Sequence, residues 1–346
     1  MNELLTLVIP THERQALLKK SLTYYAGLGF PVIVVDSSAQ AFSEIGLFPN
    51  VQYVHCPGAA FPHKLRTPVN TLVKTPFMFC CADDMYMAPE TLRLCLEFLE
   101  RNPDYSSAQG LYFGLAMNND RSTLRAMYLG VDNFDNEVDG ETPQERMLQL
   151  YCRYIPTFYA VFRTRCWQEQ LTRLPDTIRN YCLAEFYLAL TTAIFGKHKL
   201  LRETYALTYL APTVGGLDPV CRNDLHELAT MPRYAKEYAA FQGSVLAYLQ
   251  ELEPVDSRRG LLTIAKAVAL QAWKPKPLLT PMEKLQREFM TFLTKLFHRA
   301  ELRRRRKARR EQDLRAIEDE RDAMLNLLSP ASRALLERLI DTVTGY

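Results

Sequence analysis

The chain has 346 residues, 48% of them hydrophobic, and its 42 basic and 39 acidic residues leave a net charge of +3. This length predicts one large domain with an appendage, and the apolar content is sufficient for a core. The composition argues against a membrane-spanning segment, because no stretch approaches about 18 uncharged apolar residues. So small a net charge says little about partners until its distribution is known.

The cysteines indicate a reducing compartment. Most of them lie within apolar runs, and none shows CxxC spacing: Cys56, Cys80, Cys81, Cys95, Cys152, Cys166, Cys182 and Cys221. This pattern favours buried, reduced thiols over a disulfide framework or a zinc site. The apolar stretch at residues 1–9 is too short for a signal peptide, so we expect a cytoplasmic protein.

The first half of the chain alternates short apolar runs with helical patterns, which is typical of parallel βαβ units. Between the first two runs, the apolar spacing predicts a helix that is capped by Thr11 and ends near Leu28. These elements predict an α/β fold with a mostly parallel sheet. The predicted strands are Leu4–Ile9, Val32–Val35, Val51–Val54 and a fourth that begins at Pro76.

Beyond the fourth strand the pattern becomes increasingly helical. Proline at a helix start and glycine just past a helix end mark several of the boundaries. The later predicted elements are a helix from Pro89 to Asn102, a strand over Tyr105–Gly114, a helix near Tyr181–Phe195 that ends at Gly196, and helices beyond Pro232.

Two adjacent carboxylates, Asp83 and Asp84, directly follow the apolar run of the fourth strand. Burying a bare carboxylate costs several kcal/mol, so such a pair is expected at the strand's end, facing water or a cation. At the carboxyl end of a strand in an α/β sheet, two acids suit a Mg²⁺ or Mn²⁺ ion that bridges phosphate oxygens. A strand followed by an ordinary polar turn is the alternative.

Polar groups also follow the first two predicted strands. Thr11, His12, Glu13 and Arg14 come after the first, and Asp36 ends the second. Because the carboxyl ends of neighbouring parallel strands converge on one crevice, we expect these groups to share a ligand site with the acid pair. Each has an alternative: Thr11 as a helix cap, Asp36 as the start of a turn, and Glu13 with Arg14 as an exposed first-turn pair.

Three segments resemble, in order and spacing, the N-terminal half of family 2-type glycosyltransferases with the GT-A fold. They are VIPTHER at 8–14, VIVVDSS at 32–38 and KTPFMFCCADDMYMAPETL at 74–92. The match covers about residues 4–210. The resemblance implies a nucleotide-sugar donor that is bound together with a divalent cation, Mg²⁺ or Mn²⁺.

The resemblance also implies a role for each matching residue. The chain departs from the family pattern where Cys81 and Met85 stand in place of possible acids, although Mg²⁺ commonly takes only one or two protein carboxylates. By position, Pro10, Thr11 and Glu13 would line the nucleotide pocket, Asp36 would hold the base, Asp83 would face the ribose or the metal, and Asp84 would ligate the metal.

A basic loop lies between the third and fourth predicted strands. Either Lys64 or Arg66 could offset the charge of a donor diphosphate. The resemblance places a basic residue nearby and favours Lys64. The alternative is a solvated loop that precedes a helix.

An inverting sugar transfer also requires a carboxylate to deprotonate the acceptor hydroxyl. Glu185 lies in an otherwise apolar helical segment, at a position that resembles the family's acidic motif at a helix start. We predict that it is this general base, with a pKa raised by partial desolvation. An exposed acid at a helix start is the alternative. We expect His198 and His226 to be structural, because neither has a ligand spacing.

The charge of the chain is concentrated near its C-terminus. Residues 281–310 contain eleven basic residues against three acidic ones, a net charge of +8, and residues 311–322 contain six acids. With the adjacent apolar stripe, this segment could contact an anionic membrane surface or self-associate. A solvated, self-neutralising helix and a helix packed on the catalytic domain are the alternatives, and nucleic acid is not an expected partner.

We therefore predict a GT-A, Rossmann-like catalytic domain over residues 1–230, a helical subdomain over 231–280 and a basic amphipathic helical tail over 281–346. The predicted activity is the inverting, metal-dependent transfer of a hexosyl group from a UDP- or GDP-type donor. The acceptor would be a hydroxyl of a glycan, lipid-linked or protein acceptor, as in cell-envelope polysaccharide or glycoconjugate synthesis, in the cytoplasm or at the inner membrane face. The alternatives are a catalytically decayed binding or scaffold protein and a nucleotidyltransferase.

Overall fold

The computed structural model describes residues 3–118, 121–127, 137–152, 154, 156–210, 225–272, 322, 325–326 and 328–345. The strands are β1 Leu5–Thr11, β2 Val32–Asp36, β3 Val51–His55, β4 Phe77–Cys80, β5 Met85–Met87, β6 Tyr105–Asn118, β7 Arg121–Met127, β8 Val161–Arg163 and β9 Lys197–Leu210. The helices are α1 Gln15–Ala26, α2 Arg66–Leu72, α3 Pro89–Arg101, α4 Pro143–Cys152, α5 Thr164–Arg173, α6 Tyr181–Phe195, α7 Leu225–Thr230, α8 Ala235–Leu252, α9 Ser257–Ala272 and α10 Pro330–Gly345.

The strands form one sheet with a parallel half and a mixed half. The parallel half has the order β3-β2-β1-β4, and its buried strands β1, β2 and β4 are apolar because helices cover both faces. The sheet continues through β8, β6, β9 and β5, where only β6 and β9 pair in parallel. β7 pairs with β6 as an antiparallel hairpin. The predicted α/β fold, a sheet flanked by helices, is confirmed.

The predicted helix cap at Thr11 is wrong. Thr11 is the last residue of β1, where it pairs in register with Asp36 of β2. The helix begins only at Gln15, and Arg14 at its N-cap position makes no capping hydrogen bond through its side chain. The side chains of Thr11 and Arg14 are therefore available for contacts at the end of the sheet.

Helix α6 occupies the predicted range. Asn180 caps it by accepting a hydrogen bond from the Leu183 amide at 3.0 Å, and Gly196 follows its last residue. Nearly all of its residues are buried, because α4, α5 and α8 pack around it. A helix so apolar fits an internal position, which makes the carboxylate of Glu185 in its second turn conspicuous.

The last described helix returns to the sheet. In α10, Ser332 Oγ accepts a hydrogen bond from the Thr204 amide of β9 at 2.6 Å, and Arg338 pairs with Glu90 of α3 at 3.0 Å. Residues 281–322 are the predicted membrane or self-association segment, and all of them except Asp322 lie outside the described residues. None of the described helices combines the length and the apolar character needed to cross a membrane.

The described cysteines are not joined by any disulfide. Cys80, Cys81, Cys95 and Cys166 are buried, whereas Cys152 is exposed. The expectation of mostly buried, reduced thiols therefore agrees with the structure for these residues, and Cys221 lies outside the described part of the chain.

Candidate functional site

Three strand ends meet at one edge of the sheet. Thr11 at the end of β1 is in register with Asp36 at the end of β2. Asp83 and Asp84 lie just beyond β4, which pairs with the other side of β1. The Thr11 hydroxyl donates a hydrogen bond to Asp83 Oδ2 at 2.6 Å, so the structure joins residues 72 positions apart, as the convergence of parallel strands predicts.

Asp83 is the buried member of the acid pair, with 2% of its side chain exposed. Its Oδ1 lies 2.9 Å from Arg14 Nη1. Burial raises the pKa of Asp83 to about 6, while Arg14 and the Thr11 hydroxyl act in the opposite direction. The cation and the hydroxyl therefore keep this buried carboxylate mostly ionised at neutral pH.

Arg14 spans both acids. Its Nη2 donates to Asp84 Oδ2 while its Nη1 faces Asp83. Burial alone would lower the pKa of Arg14, but the two carboxylates raise it above its ordinary value. Only 28% of the Arg14 side chain is exposed. The alternative of an exposed first-turn pair is thus wrong for Arg14, which was expected near the acid pair but without a predicted role between the two carboxylates.

The acid pair has the donor chemistry of a small metal site. None of the described residues donates a hydrogen bond to Asp84 Oδ1, and Asp84 is partly exposed. Asp83 Oδ1 is buried without a hydrogen bond. The described residues contain no cluster of three or more potential metal ligands, but carboxylate oxygens from one or two side chains fit Mg²⁺ or Mn²⁺, which completes its shell with phosphate and water.

Lys64 is a second buried cation at the strand ends. Its Nζ donates to the Thr11 carbonyl at 2.6 Å and to Ser37 Oγ at 3.0 Å. Burial lowers the pKa of Lys64, and the nearby carboxylates Asp36 and Asp83 oppose this effect. The side chain is only 8% exposed, so Lys64 is part of the site's framework and not of a solvated loop.

Arg66 belongs to a different contact. It donates to the carbonyls of Leu171 and Leu174, at 2.7 and 2.5 Å, and to Asp176 at 2.8 Å. These bonds join α2 to the end of α5. Of the two basic residues considered for the diphosphate, the structure therefore places Lys64, and not Arg66, among the strand ends.

Asp36 is fully buried and both of its oxygens have donors. Oδ1 accepts from the amide of Ser38 at 2.8 Å and from its hydroxyl at 2.5 Å, and Oδ2 accepts from the Tyr53 hydroxyl at 2.6 Å. In this arrangement Asp36 organises the loop after β2. Its role as the base-binding residue stays a prediction.

Glu13 ties the loop after β1 to the loop after β2. Its φ of 53° lies in the left-handed region, its amide donates to Ser38 Oγ at 2.7 Å, and its Oε1 accepts from the Ala39 amide at 2.6 Å. Pro10 is half-buried within β1. Both residues shape the loops at the edge of the site, and their contact with a nucleotide stays a prediction.

Glu185 is half-buried in α6 and is held by one described hydrogen bond, from the Tyr154 hydroxyl to Oε1 at 3.0 Å. Burial raises the pKa of Glu185, and the bond from Tyr154 opposes this rise. No ion pair among the described residues involves Glu185. Glu185 is thus neither fully solvated nor paired with a described cation, which is compatible with its predicted role as a base.

An aromatic row connects the region of Glu185 to the acid pair. No described contact joins Glu185 directly to the acids, but Tyr159, at one end of the row, is close enough to Arg14 to raise its pKa. Tyr181, at the other end, begins the helix that carries Glu185. The ring centroids are 4.9 Å apart for Tyr181 and Phe61, 5.3 Å for Phe61 and Phe158, and 5.0 Å for Phe158 and Tyr159.

His198 is structural, as predicted. It is buried on β9, with Nδ1 2.8 Å from Ser107 Oγ, and burial lowers its pKa to about 3. The histidine is therefore neutral at neutral pH, and it does not belong to the strand-end cluster. The side chain of His226 lies outside the described part of the structure.

No known protein family and no curated protein sequence matches the chain. Among solved structures it is similar to S. aureus TarS 1-349, with a TM-score of 0.52 and 10% identity over 81% of this chain and 77% of that one. It is also similar to a longer S. aureus TarS chain, with a TM-score of 0.52 and 12% identity over 98% of this chain and 54% of that one. TarS is a glycosyltransferase, and a likeness at this identity shows a shared fold.

Proposed function

We propose that this protein transfers a sugar from a nucleoside diphosphate sugar to an acceptor hydroxyl. The observation that carries the proposal is the strand-end cluster, in which Asp83 and Asp84 lie beside Arg14 and Lys64. Ligands of α/β sheets bind at this edge, beyond the carboxyl ends of the strands. The fold shared with TarS supports the same class of activity.

We expect the donor's diphosphate to bind at the acid pair. A Mg²⁺ or Mn²⁺ ion held by Asp84 would neutralise charge on the leaving diphosphate. Arg14 and Lys64 are the cations that the chain itself places there, and both can donate hydrogen bonds to phosphate oxygens. Thr11 would orient Asp83 through the bond that it already makes.

Glu185 is our candidate for the base that activates the acceptor. Its carboxylate has no described cation beside it, and its pKa is raised by burial, so it can accept a proton near neutral pH more readily than a solvated glutamate. Attack from the face opposite the leaving diphosphate would invert the anomeric carbon. Tyr154 would hold the carboxylate in a fixed orientation.

The proposal is tested by donor turnover. The purified full-length chain is incubated with a panel of UDP- and GDP-sugars and Mn²⁺, and release of the nucleoside diphosphate is measured with and without chelator. We expect one donor to be consumed, and Asp84→Asn to abolish its consumption. Binding of a donor without any turnover would contradict enzymatic activity and favour a binding or scaffold protein.

A further inference from the structure

We infer that Arg14 occupies the place of a divalent cation between Asp83 and Asp84, so that a metal ion must compete with this guanidinium for the carboxylates. The inference rests on the proposed function, which leads us to expect a cation at this position. It adds a role for a residue to which the resemblance assigned none.

The geometry shows that the guanidinium fills the space between the acids. Nη1 lies 2.9 Å from Asp83 Oδ1, and Nη2 donates to Asp84 Oδ2. One positive group thereby contacts one oxygen of each carboxylate. Arg14 lies at the N-cap position of α1, in the loop that follows β1. Because β1 and β4 are neighbours in the sheet, its side chain reaches the acids that follow β4.

The fit of Arg14 is incomplete. Its Nε is buried without a hydrogen-bond partner, and Asp83 Oδ1 faces Nη1 as an ion pair without an aligned hydrogen bond. Buried polar groups are normally satisfied, and leaving one unpaired is costly. The unpartnered Nε and the poorly aligned contact at Asp83 Oδ1 indicate an arrangement that a further ligand could displace.

The positive charge of Arg14 is the reason that it would compete with a metal ion for the two carboxylates. Two carboxylates with one guanidinium leave a single net negative charge at the acid pair, and a dication that entered beside Arg14 would be repelled by it at close range. Lys64 does not compete in this way, because its described hydrogen bonds go to the Thr11 carbonyl and to Ser37. Arg14 is thus the group whose release would open the carboxylates to a metal.

This competition would couple the metal to the donor. A diphosphate offers Arg14 an alternative anionic partner with which it can form bidentate hydrogen bonds. Once Arg14 turns to the phosphates, both carboxylates are free for the cation. By linkage, the metal would then bind more tightly when the diphosphate is present, and the diphosphate more tightly when the metal is present.

The test is the affinity of the full-length protein for Mn²⁺ alone, measured by electron paramagnetic resonance at pH 8 without nucleotide. We expect Arg14→Met to tighten the Kd for Mn²⁺ by about tenfold or more, because the competing charge is gone. Arg14→Gln should act in the same direction and serves as a second variant if the first does not fold. Lys20→Met is the matched control, since it removes one exposed positive charge from the same helix.

Three outcomes would overturn the inference: an unchanged or weaker Mn²⁺ affinity in the folded Arg14 variants, an equal change in Lys20→Met, or tight binding that survives Asp84→Asn in the Arg14→Met background. This measurement of Mn²⁺ affinity does not depend on sugar transfer. A protein that turned over no donor but bound Mn²⁺ tenfold more tightly without Arg14 would refute the proposed function and leave the inference standing.

Discussion

The two regions that contribute candidate catalytic groups hold their carboxylates in different ways. At the strand ends, Asp83 and Asp84 belong to a network with Arg14, Thr11 and nearby Lys64. In α6, the described partner of Glu185 is one tyrosine hydroxyl, and the surroundings are aromatic. The first region pairs its acids with cations, whereas the second leaves its acid desolvated and without a described cation.

This difference matches two chemical tasks. A site for phosphate and metal needs charges of both signs fixed in advance, because reorganising them during binding is costly. A general base needs a carboxylate that gains by taking up a proton, which desolvation without a cation provides. The following predictions separate the two regions, beginning with the largest expected effect.

Exchanging the carboxylate of Asp84 or of Glu185 for its amide should separate effects on donor binding from effects on the chemical step. Asp84→Asn should weaken donor binding as well as turnover. Glu185→Gln should leave the donor Kd unchanged and lower kcat by about 10²–10⁴-fold, the range typical of general base catalysis. Separate measurements of donor Kd and kcat check this, with Glu100→Gln on the exposed face of α3 as the control. Near-full kcat in Glu185→Gln would refute its assignment as the base.

Removing the hydroxyl of Thr11 should weaken the strand-end network. Thr11→Val deletes the hydrogen bond to the buried Asp83 carboxylate, so we expect the free energy of unfolding to fall by about 1.5–3 kcal/mol. Thr23→Val, at an exposed position of α1, should change it by less than about 0.5 kcal/mol. Urea denaturation at pH 7.5 measures both, and equal values for the two variants would show that the network does not stabilise the fold.

The pH dependence of stability that arises from His198 in the sheet must be distinguished from the pH dependence of catalysis that arises from Glu185. His198 has a pKa of about 3 in the folded protein, against about 6.5 when unfolded, so the unfolded state binds more protons between these values. The contribution of His198 to stability should therefore decline as pH falls below about 6.5, and the loss should reach about 2 kcal/mol at pH 5. Asp83, whose raised pKa acts in the opposite direction, is present in both proteins compared, so denaturation at pH 5 and 7.5 should show a loss about 2 kcal/mol larger in the wild type than in His198→Asn.

The smallest expected effect is that of replacing Tyr154, the hydrogen-bond partner of Glu185. Tyr154→Phe removes a hydrogen bond that holds down the pKa of Glu185, so this pKa should rise further. Because the base must be ionised, the acidic limb of the pH profile of kcat should move to higher pH, with a stability loss of about 1 kcal/mol. An acidic limb that stays in place would mean that Glu185 does not control it.

The sequence by itself determined the parallel half of the sheet, the position of the acid pair and the range of α6. Each of these follows from local physics. Runs of apolar, β-branched residues make buried strands, and a pair of carboxylates directly after such a run is costly to bury without a partner, so we expect it at the strand's end, where a cation or water can pair with it. The helical spacing and the apolar character of α6 similarly identified Glu185 as an acid in unusual surroundings.

Only the tertiary structure decided which partners these groups have. Arg14 lies 70 residues before Asp84, and the strand pattern predicted only that both lie at the same edge of the sheet, not that they form an ion pair. They meet because β1 and β4 are neighbours in the sheet, which brings the loops after both strands to one edge. The pairing of β2 with β3 likewise places Tyr53 on Asp36, and the packing of α4 against α6 brings Tyr154 to Glu185. Hydrogen bonds and ion pairs act over a few ångströms in space, and that proximity is set by strand order and packing.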